Sequence, residues 1–186
     1  MGTTRYASVL GLGFGDCGKG LFVDALTRRW AAHTVVRFSG GAQAGHNVVA
    51  PPDSPTPGLH HTFSQFSAGT LVPGTRTVLL DPMIVHPTAL LAEAGCLGRK
   101  GIVDALARLS VDGRCRITTP YHQAAGRLRE LLRGDAAHGT CGVGVGETVR
   151  HALEHPALTL RYADLANHSP TGRTSLRSHL QGIRET

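Results

Sequence analysis

The feature that most restricts the fold is a glycine loop, G-F-G-D-C-G-K-G over Gly13 to Gly20, set directly after the apolar run Tyr6 to Leu12. A short apolar run that ends in glycines reads as a strand stopping where the backbone must turn sharply. Phe22, Leu26 and Trp30 then recur at i, i+4 and i+8, which predicts a helix with one apolar stripe. The β-branched stretch Thr34 to Phe38 predicts the next strand. Strand, glycine loop, helix and strand form a βαβ opening. The expected fold is therefore α/β: a central, mostly parallel sheet with flanking helices and a P-loop-like glycine loop after the first strand.

Such a loop has a chemistry. Its glycines let backbone N–H groups converge on phosphate oxygens, the helix start adds its positive dipole end, and Lys19 supplies a point charge. Gly13 to Lys19 satisfies G-x-x-x-x-G-K, but Gly20 follows where a Walker NTPase has a hydroxyl for magnesium. Gly13, Gly15 and Gly18 also satisfy G-x-G-x-x-G, the dinucleotide fingerprint. No acid stands at the end of the second strand, where Arg37 would suit NADP, so an NADP-dependent oxidoreductase stays open as an alternative. Asp16, a carboxylate inside a phosphate cradle, reads either as a magnesium ligand or general base, or as an Asx-turn or helix cap.

Further along, Ser39 to Asn47 forms a second glycine-containing loop, and four prolines mark Pro51 to Gly58 as an exposed turn region. Strands are expected at His61 to Phe66, Thr77 to Asp81 and Arg114 to Thr119, and helices at Pro87 to Ala94, Ile102 to Leu109 and Pro120 to Arg133. A third glycine cluster, Gly139 to Gly146, precedes a helix at Glu147 to Glu154. Residues 166–186 show no periodicity and are expected to be a poorly ordered tail behind a nucleotide-binding domain of residues 1–165.

Composition narrows the partners. The chain has 24 glycines in 186 residues, nearly double the usual ~7%, as expected of a protein whose loops hold something. Its net charge of +6 favours anions, yet Arg28 and Arg29 are the only adjacent arginines and the few aromatics do not interleave with them. That pattern argues against nucleic acid, and the broken apolar runs argue against a membrane span. Cys17, Cys96, Cys115 and Cys141 are too scattered for a disulfide scaffold and read as reduced thiols of a cytoplasmic protein with no targeting segment.

The two loops together resemble one family. G-F-G-D-C-G-K-G followed by V-V-R-F-S-G-G-A-Q-A-G-H-N is similar to the opening of adenylosuccinate synthetase, which joins IMP and L-aspartate using GTP. The resemblance continues through H-H-T-F-S-Q-F-S-A-G-T-L, D-P-M-I-V-H-P-T-A-L-L, T-P-Y-H and H-G-T-C-G-V-G-V-G, covering Val9 to about Leu165. It implies a GTP-dependent carbon–nitrogen ligase of purine biosynthesis that uses Mg2+. In that chemistry GTP phosphorylates the 6-oxygen of IMP, and the amine of aspartate then displaces phosphate. A base must take the N1 proton of the purine while an acid stabilises the 6-oxygen.

By resemblance Asp16 is the base and a magnesium ligand, His46 the acid, and Gly45 lends a carbonyl to magnesium. The GTP phosphates would meet Gly15, Asp16, Cys17, Gly18, Lys19, Gly20, Gly45, His46 and Asn47. IMP would meet Asp16, Lys19, Gln43, Ala44, Gly45, His46, Thr140 and Cys141, its 5′-phosphate lying on the Gly139 to Gly146 loop. A homodimer is implied, in which the family lends an arginine across the interface. Several positions depart from the family: Cys17 for a glutamate, Leu21 for a lysine, Gln43 for an asparagine, Asn47 for a threonine, Cys141 for a threonine and Val143 for an arginine. The lent arginine has no counterpart near His155, although Arg150 is close. Family members also continue beyond this length, with residues for guanine and aspartate in the remainder. The other reading is a truncated purine-nucleotide-binding paralogue without full ligase activity.

Overall fold

The computed structural model describes residues 5–13, 15, 17–166 and 169–186. Helix α1 (Lys19–Trp30) leads into strand β1 (Thr34–Arg37), as the periodicity predicts. Strand β2 (His46–Val49) and strand β3 (His60–Phe63) form an antiparallel hairpin, with His46 opposite Phe63 and Val49 opposite His60. Strand β4 (Arg76–Leu79) lies parallel to β1, with Thr34 opposite Arg76 and Arg37 opposite Leu79.

After β4 come strand β5 (Ile84–Val85), helix α2 (Pro87–Arg99) and strand β6 (Leu109–Val111). β6 extends the parallel sheet in the order β1-β4-β6. Strand β7 (Arg116–Ile117) pairs in parallel with β5, and helices α3 (Pro120–Leu132), α4 (Val145–Glu154), α5 (Tyr162–Ala166) and α6 (Pro170–Glu185) complete the order. The fold is α/β with a parallel sheet and flanking helices. Its core gathers Val48, Phe63, Phe66, Leu79, Val85 and Leu97, all essentially inaccessible.

Both proline-led helices start as expected. At α2 the His86 ring accepts from the Ala89 amide, and at α3 Thr119 and His122 form a reciprocal capping box. His122 is only 3% exposed, sits edge-on to the ring of His151 on α4, and leaves its Nε2 unpartnered. Burial, reinforced by the neighbouring His151, pushes its pKa down to about 4. The unfolded chain takes up this proton near pH 6.5, so it binds more protons than the folded chain between about pH 6.5 and 4. Stability is full above that window and falls by about 3 kcal/mol as the pH drops through it. His122→Gln keeps a side chain suited to the capping box and removes the titration. Its unfolding midpoint, followed from pH 7 to 4.5, is expected to decline less steeply than that of the parent chain; an equal decline would exclude His122 as the cause.

Several expected elements are corrected. Tyr6 to Leu12 is not a strand: it runs exposed along a groove with Val23, Leu26 and Val35, and no ladder joins it to β1. Residues 6–12 are almost all exposed, so this apolar run lacks the covered faces that a strand of a parallel sheet needs. The second glycine loop ends early because His46 and Asn47 already belong to β2. β3 stops at Phe63, since the next backbone groups bond to side chains rather than to a ladder.

The helix expected at Ile102 to Leu109 is a series of turns, with Leu109 taken by β6 pairing, where it lies opposite Thr77. β7 spans only two residues of Arg114 to Thr119 because Thr119 caps α3. The segment expected to be an aperiodic tail contains α6, capped by Ser169 through the Gly172 amide. Leu176, Leu180 and Ile183 of α6 pack on the core at spacings of four and three, a helical stripe present in the sequence but diluted by polar residues.

Candidate functional site

The site is built from helix starts. α1 begins after Gly18, whose φ of +72° puts it in the left-handed region, and α4 begins after Gly144 with φ of +87°. Glycine alone adopts this conformation at no cost, and neither helix has a side-chain cap, so no capping side chain takes up their first N–H groups. Two anion-attracting helix ends are thereby exposed.

Close approaches bring these ends together. A Cβ on Gly20 would lie 2.6 Å from Cβ of His46, so only glycine lets α1 rest against the start of β2. That contact explains why the Walker hydroxyl is missing: a serine here would displace His46. A Cβ on Gly41 would lie 2.9 Å from both the Ile84 carbonyl and Val145 of α4, so the second glycine loop seats directly on the α4 start. Gln43, on that loop, lines both the cleft of about 510 Å3 around Lys19, Gly45 and His46 and the cleft of about 630 Å3 around Thr140 and the Gly139 to Gly146 loop. The clefts adjoin, and each is within the range of small-molecule sites.

Gly20→Ser is accordingly expected to weaken binding of inorganic phosphate at the α1 start at least several-fold and to lower stability by about 1 to 3 kcal/mol. Calorimetric titration together with denaturant unfolding reads both quantities. Unchanged values would show that the approach of α1 to His46 is not tight in solution.

The first cleft is electropositive. Lys19 Nζ lies 3.3 Å from Cys17 Sγ, and this hydrogen bond holds the Cys17 thiol below its ordinary pKa. His46 is half-buried, and burial, together with the positive charges of Arg37 and Lys19, pushes its pKa down. His46 is thus a neutral imidazole near pH 7, able to donate one N–H without carrying charge. Arg37 is held from below, donating to the carbonyls of Ser64 at 2.6 Å and Phe66 at 3.3 Å. Its burial brings its pKa down to about 10, so it stays charged. With its guanidinium engaged by two carbonyls, Arg37 is not the free cation that an NADP 2′-phosphate would need.

The structure places most of the expected site residues. Cys17, Gly18, Lys19, Gly20, Gln43, Ala44, Gly45, His46 and Asn47 line one cleft, and Thr140 and Cys141 line the other. Gly15 has φ of +90° and is exposed. Asp16 lies outside the described residues. Asn47 carries a second duty, its Oδ1 accepting from Thr62 Oγ1 at 2.6 Å and engaging His60 across the hairpin.

The sequence reading misses Glu93 and Gln65, which fix the chain under the site. Glu93 accepts from the amides of Ser64 at 3.0 Å and Gln65 at 2.8 Å, while the Gln65 side chain bonds both backbone groups of His86. Nothing in local pattern marks these two, since their partners are twenty or more residues away. Among the described residues no helix is long and apolar enough to cross a membrane.

Comparison with known proteins adds the ancestry. The adenylosuccinate synthetase family profile matches residues 8–185. Adenylosuccinate synthetase of Marinomonas sp. (strain MWYL1) is 38% identical over 157 residues, which are 84% of this chain and 34% of that protein. The enzyme of Myxococcus xanthus (strain DK1622) is 33% identical over 159 residues, 86% of this chain and 34% of its own length. Among solved structures, fully ligated adenylosuccinate synthetase from Plasmodium falciparum superposes with a TM-score of 0.76 at 25% identity, covering 95% of this chain and 39% of that one. Succinoaminodeoxyadenylate synthetase of cyanophage S-2L, bound to dGMP and dATP, shares the fold with a TM-score of 0.62 at 20% identity, over 84% of this chain and 40% of its own. The chain spans about a third of the length of the curated relatives it matches.

Proposed function

We propose, from the premise that the chain belongs to the adenylosuccinate synthetase family, that it serves a GTP-dependent ligation of IMP, or a related purine nucleotide, to L-aspartate in purine biosynthesis. The observation that carries this reading is the meeting of two uncapped, glycine-led helix starts at adjoining clefts, with Lys19 and a neutral His46 in one of them. A reaction between two nucleotides needs two phosphate sites at one place. The cytoplasm is the matching compartment, and a homodimer the matching assembly.

In this reading the α1 start and Lys19 hold the transferring phosphate, while the Gly139 to Gly146 loop anchors the purine monophosphate. Asp16 takes the N1 proton of the purine, which sends negative charge to the 6-oxygen. The His46 N–H donates to that oxygen; because burial and the adjacent cations keep the ring neutral, it stabilises charge as it develops without pairing with ground-state anions. Phosphoryl transfer from GTP then gives 6-phosphoryl-IMP and GDP, and the amine of aspartate displaces phosphate. Magnesium is ordinarily held by one or two carboxylates plus substrate phosphates, and here Asp16 and the carbonyl of Gly45, an exposed residue lining the cleft, would hold it. When bound it neutralises phosphate charge.

Lys19→Ala tests the phosphate site. GTP and IMP affinity, measured by calorimetry, is expected to fall about tenfold, the effect of one charge-assisted hydrogen bond. Unchanged affinity in a folded variant removes the assignment. A second reading, a purine-nucleotide-binding paralogue, draws on Val143 standing where the resemblance has an arginine and on the lack of a counterpart near His155 for the arginine lent across the interface. Incubation with IMP, GTP, Mg2+ and aspartate separates the two: adenylosuccinate on chromatography supports the ligase, and nucleotide binding without product supports the paralogue.

A further inference from the structure

The glycine loop between α3 and α4 closes on a carboxylate of its own chain. Glu130, on α3, accepts from the Gly139 amide at 2.8 Å, the Thr140 hydroxyl at 3.2 Å and the Arg133 guanidinium at 2.9 Å. Burial raises its pKa, but the Gly139 amide, the Thr140 hydroxyl, the His138 amide and Arg133 together outweigh it and hold the carboxyl below its ordinary range. Backbone amides, a hydroxyl and a guanidinium converging on one point are the donor set of a phosphate site, and the carboxylate stands in for the anion. The side chain lines the 630 Å3 cleft and is 17% exposed, so it can swing into water.

The other cations of this cleft are already committed. Arg129 and Arg150 both bind Glu147, and Arg150 also binds Glu154. The donors gathered by Glu130 are thus the set that an incoming anion can take over by displacing one carboxylate.

We propose that Glu130 is an internal place-holder for the phosphate monoester of the nucleotide, and that its displacement makes the cleft select for a doubly charged phosphate. On binding, Gly139, Thr140 and Arg133 pass from the carboxylate to the phosphate, and Glu130 turns to solvent. A ligand without a phosphate cannot drive the exchange. This inference rests on the reading of the Gly139 to Gly146 loop as a nucleotide-phosphate cradle.

The test uses the 186-residue chain, IMP, inorganic phosphate and inosine. Glu130→Gln removes the competing charge at nearly constant volume, and Glu130→Asp withdraws the carboxylate from reach of Gly139. Both are expected to bind IMP and inorganic phosphate about three- to tenfold more tightly than the parent, with inosine affinity unchanged. In the free variants the Gly139 amide, which donates to Glu130 in the parent, should exchange hydrogen faster, with protection restored by inorganic phosphate. A merely structural Glu130 would instead loosen the loop and weaken binding, so equal or weaker affinity in both variants overturns the proposal. Thr140→Ala separates the two layers of argument. If the parent binds IMP and Thr140→Ala binds it equally well, or if the parent binds neither IMP nor phosphate, the cradle reading fails and the place-holder with it. If Thr140→Ala weakens IMP binding while the Glu130 variants do not strengthen it, the cradle stands and the place-holder alone is wrong.

Discussion

Glu93→Ala is expected to lower the stability of the chain by about 3 to 4 kcal/mol, the scale of breaking a buried, hydrogen-bonded charged group. The carboxylate is 8% exposed, accepts the amides of Ser64 and Gln65, and lies 3.7 Å from His61 Nε2. Its removal leaves two amides without acceptors in the interior. It also removes the negative charge that offsets buried Arg37, whose guanidinium holds the carbonyls of the same Ser64–Phe66 segment. One short stretch is therefore pinned on its N–H side by Glu93 and on its C=O side by Arg37. At roughly 2 to 4 °C per kcal/mol for a chain of this size, the melting temperature should fall by about 6 to 16 °C. Glu93→Gln, which keeps one acceptor oxygen, should lose less. Denaturant unfolding of Glu93→Ala within 1 kcal/mol of the parent would show that water replaces the carboxylate at no cost.

The largest kinetic effect is expected at the proposed acid–base pair, Asp16 and His46. In a preparation that turns over, Asp16→Asn should reduce kcat by about 10²- to 10⁴-fold, the usual contribution of a positioned general base. Nucleotide affinity should change little, because the amide keeps the volume and no longer repels phosphate. His46→Ala should reduce kcat by about 10²- to 10³-fold through loss of the donor to the 6-oxygen. Since the His46 pKa is pushed down by burial and two cations, no acid limb belonging to it is expected near pH 6.5 in the parent profile. Steady-state kinetics with separate binding measurements distinguishes the two effects; a near-normal kcat for Asp16→Asn removes it as the base. A raised KM with unchanged kcat would assign these groups to binding alone.

What local sequence determines here is the set of parts. The stripe of Phe22, Leu26 and Trp30 announces α1, and the prolines at 87 and 120 announce two helix N-termini, because each depends on neighbours within one or two turns. The family resemblance follows from the glycine loops. Partnership is what the chain order leaves undetermined. Tyr6 to Leu12 has the composition of a strand, yet pairing requires neighbours that local composition does not supply. Leu109 reads as helical and becomes β6 because β4 lies beside it. Glu93 and Glu130 look like ordinary helix-surface acids, and only the return of residues 64–65 and 138–140 gives each its donors. The meeting of the two glycine loops at Gly41 and Val145, across about a hundred residues of chain, is likewise a tertiary event. Propensity and capping act between residues a few positions apart, whereas steric fit, buried charge and hydrogen-bond completion act between residues that only the folded chain brings into contact.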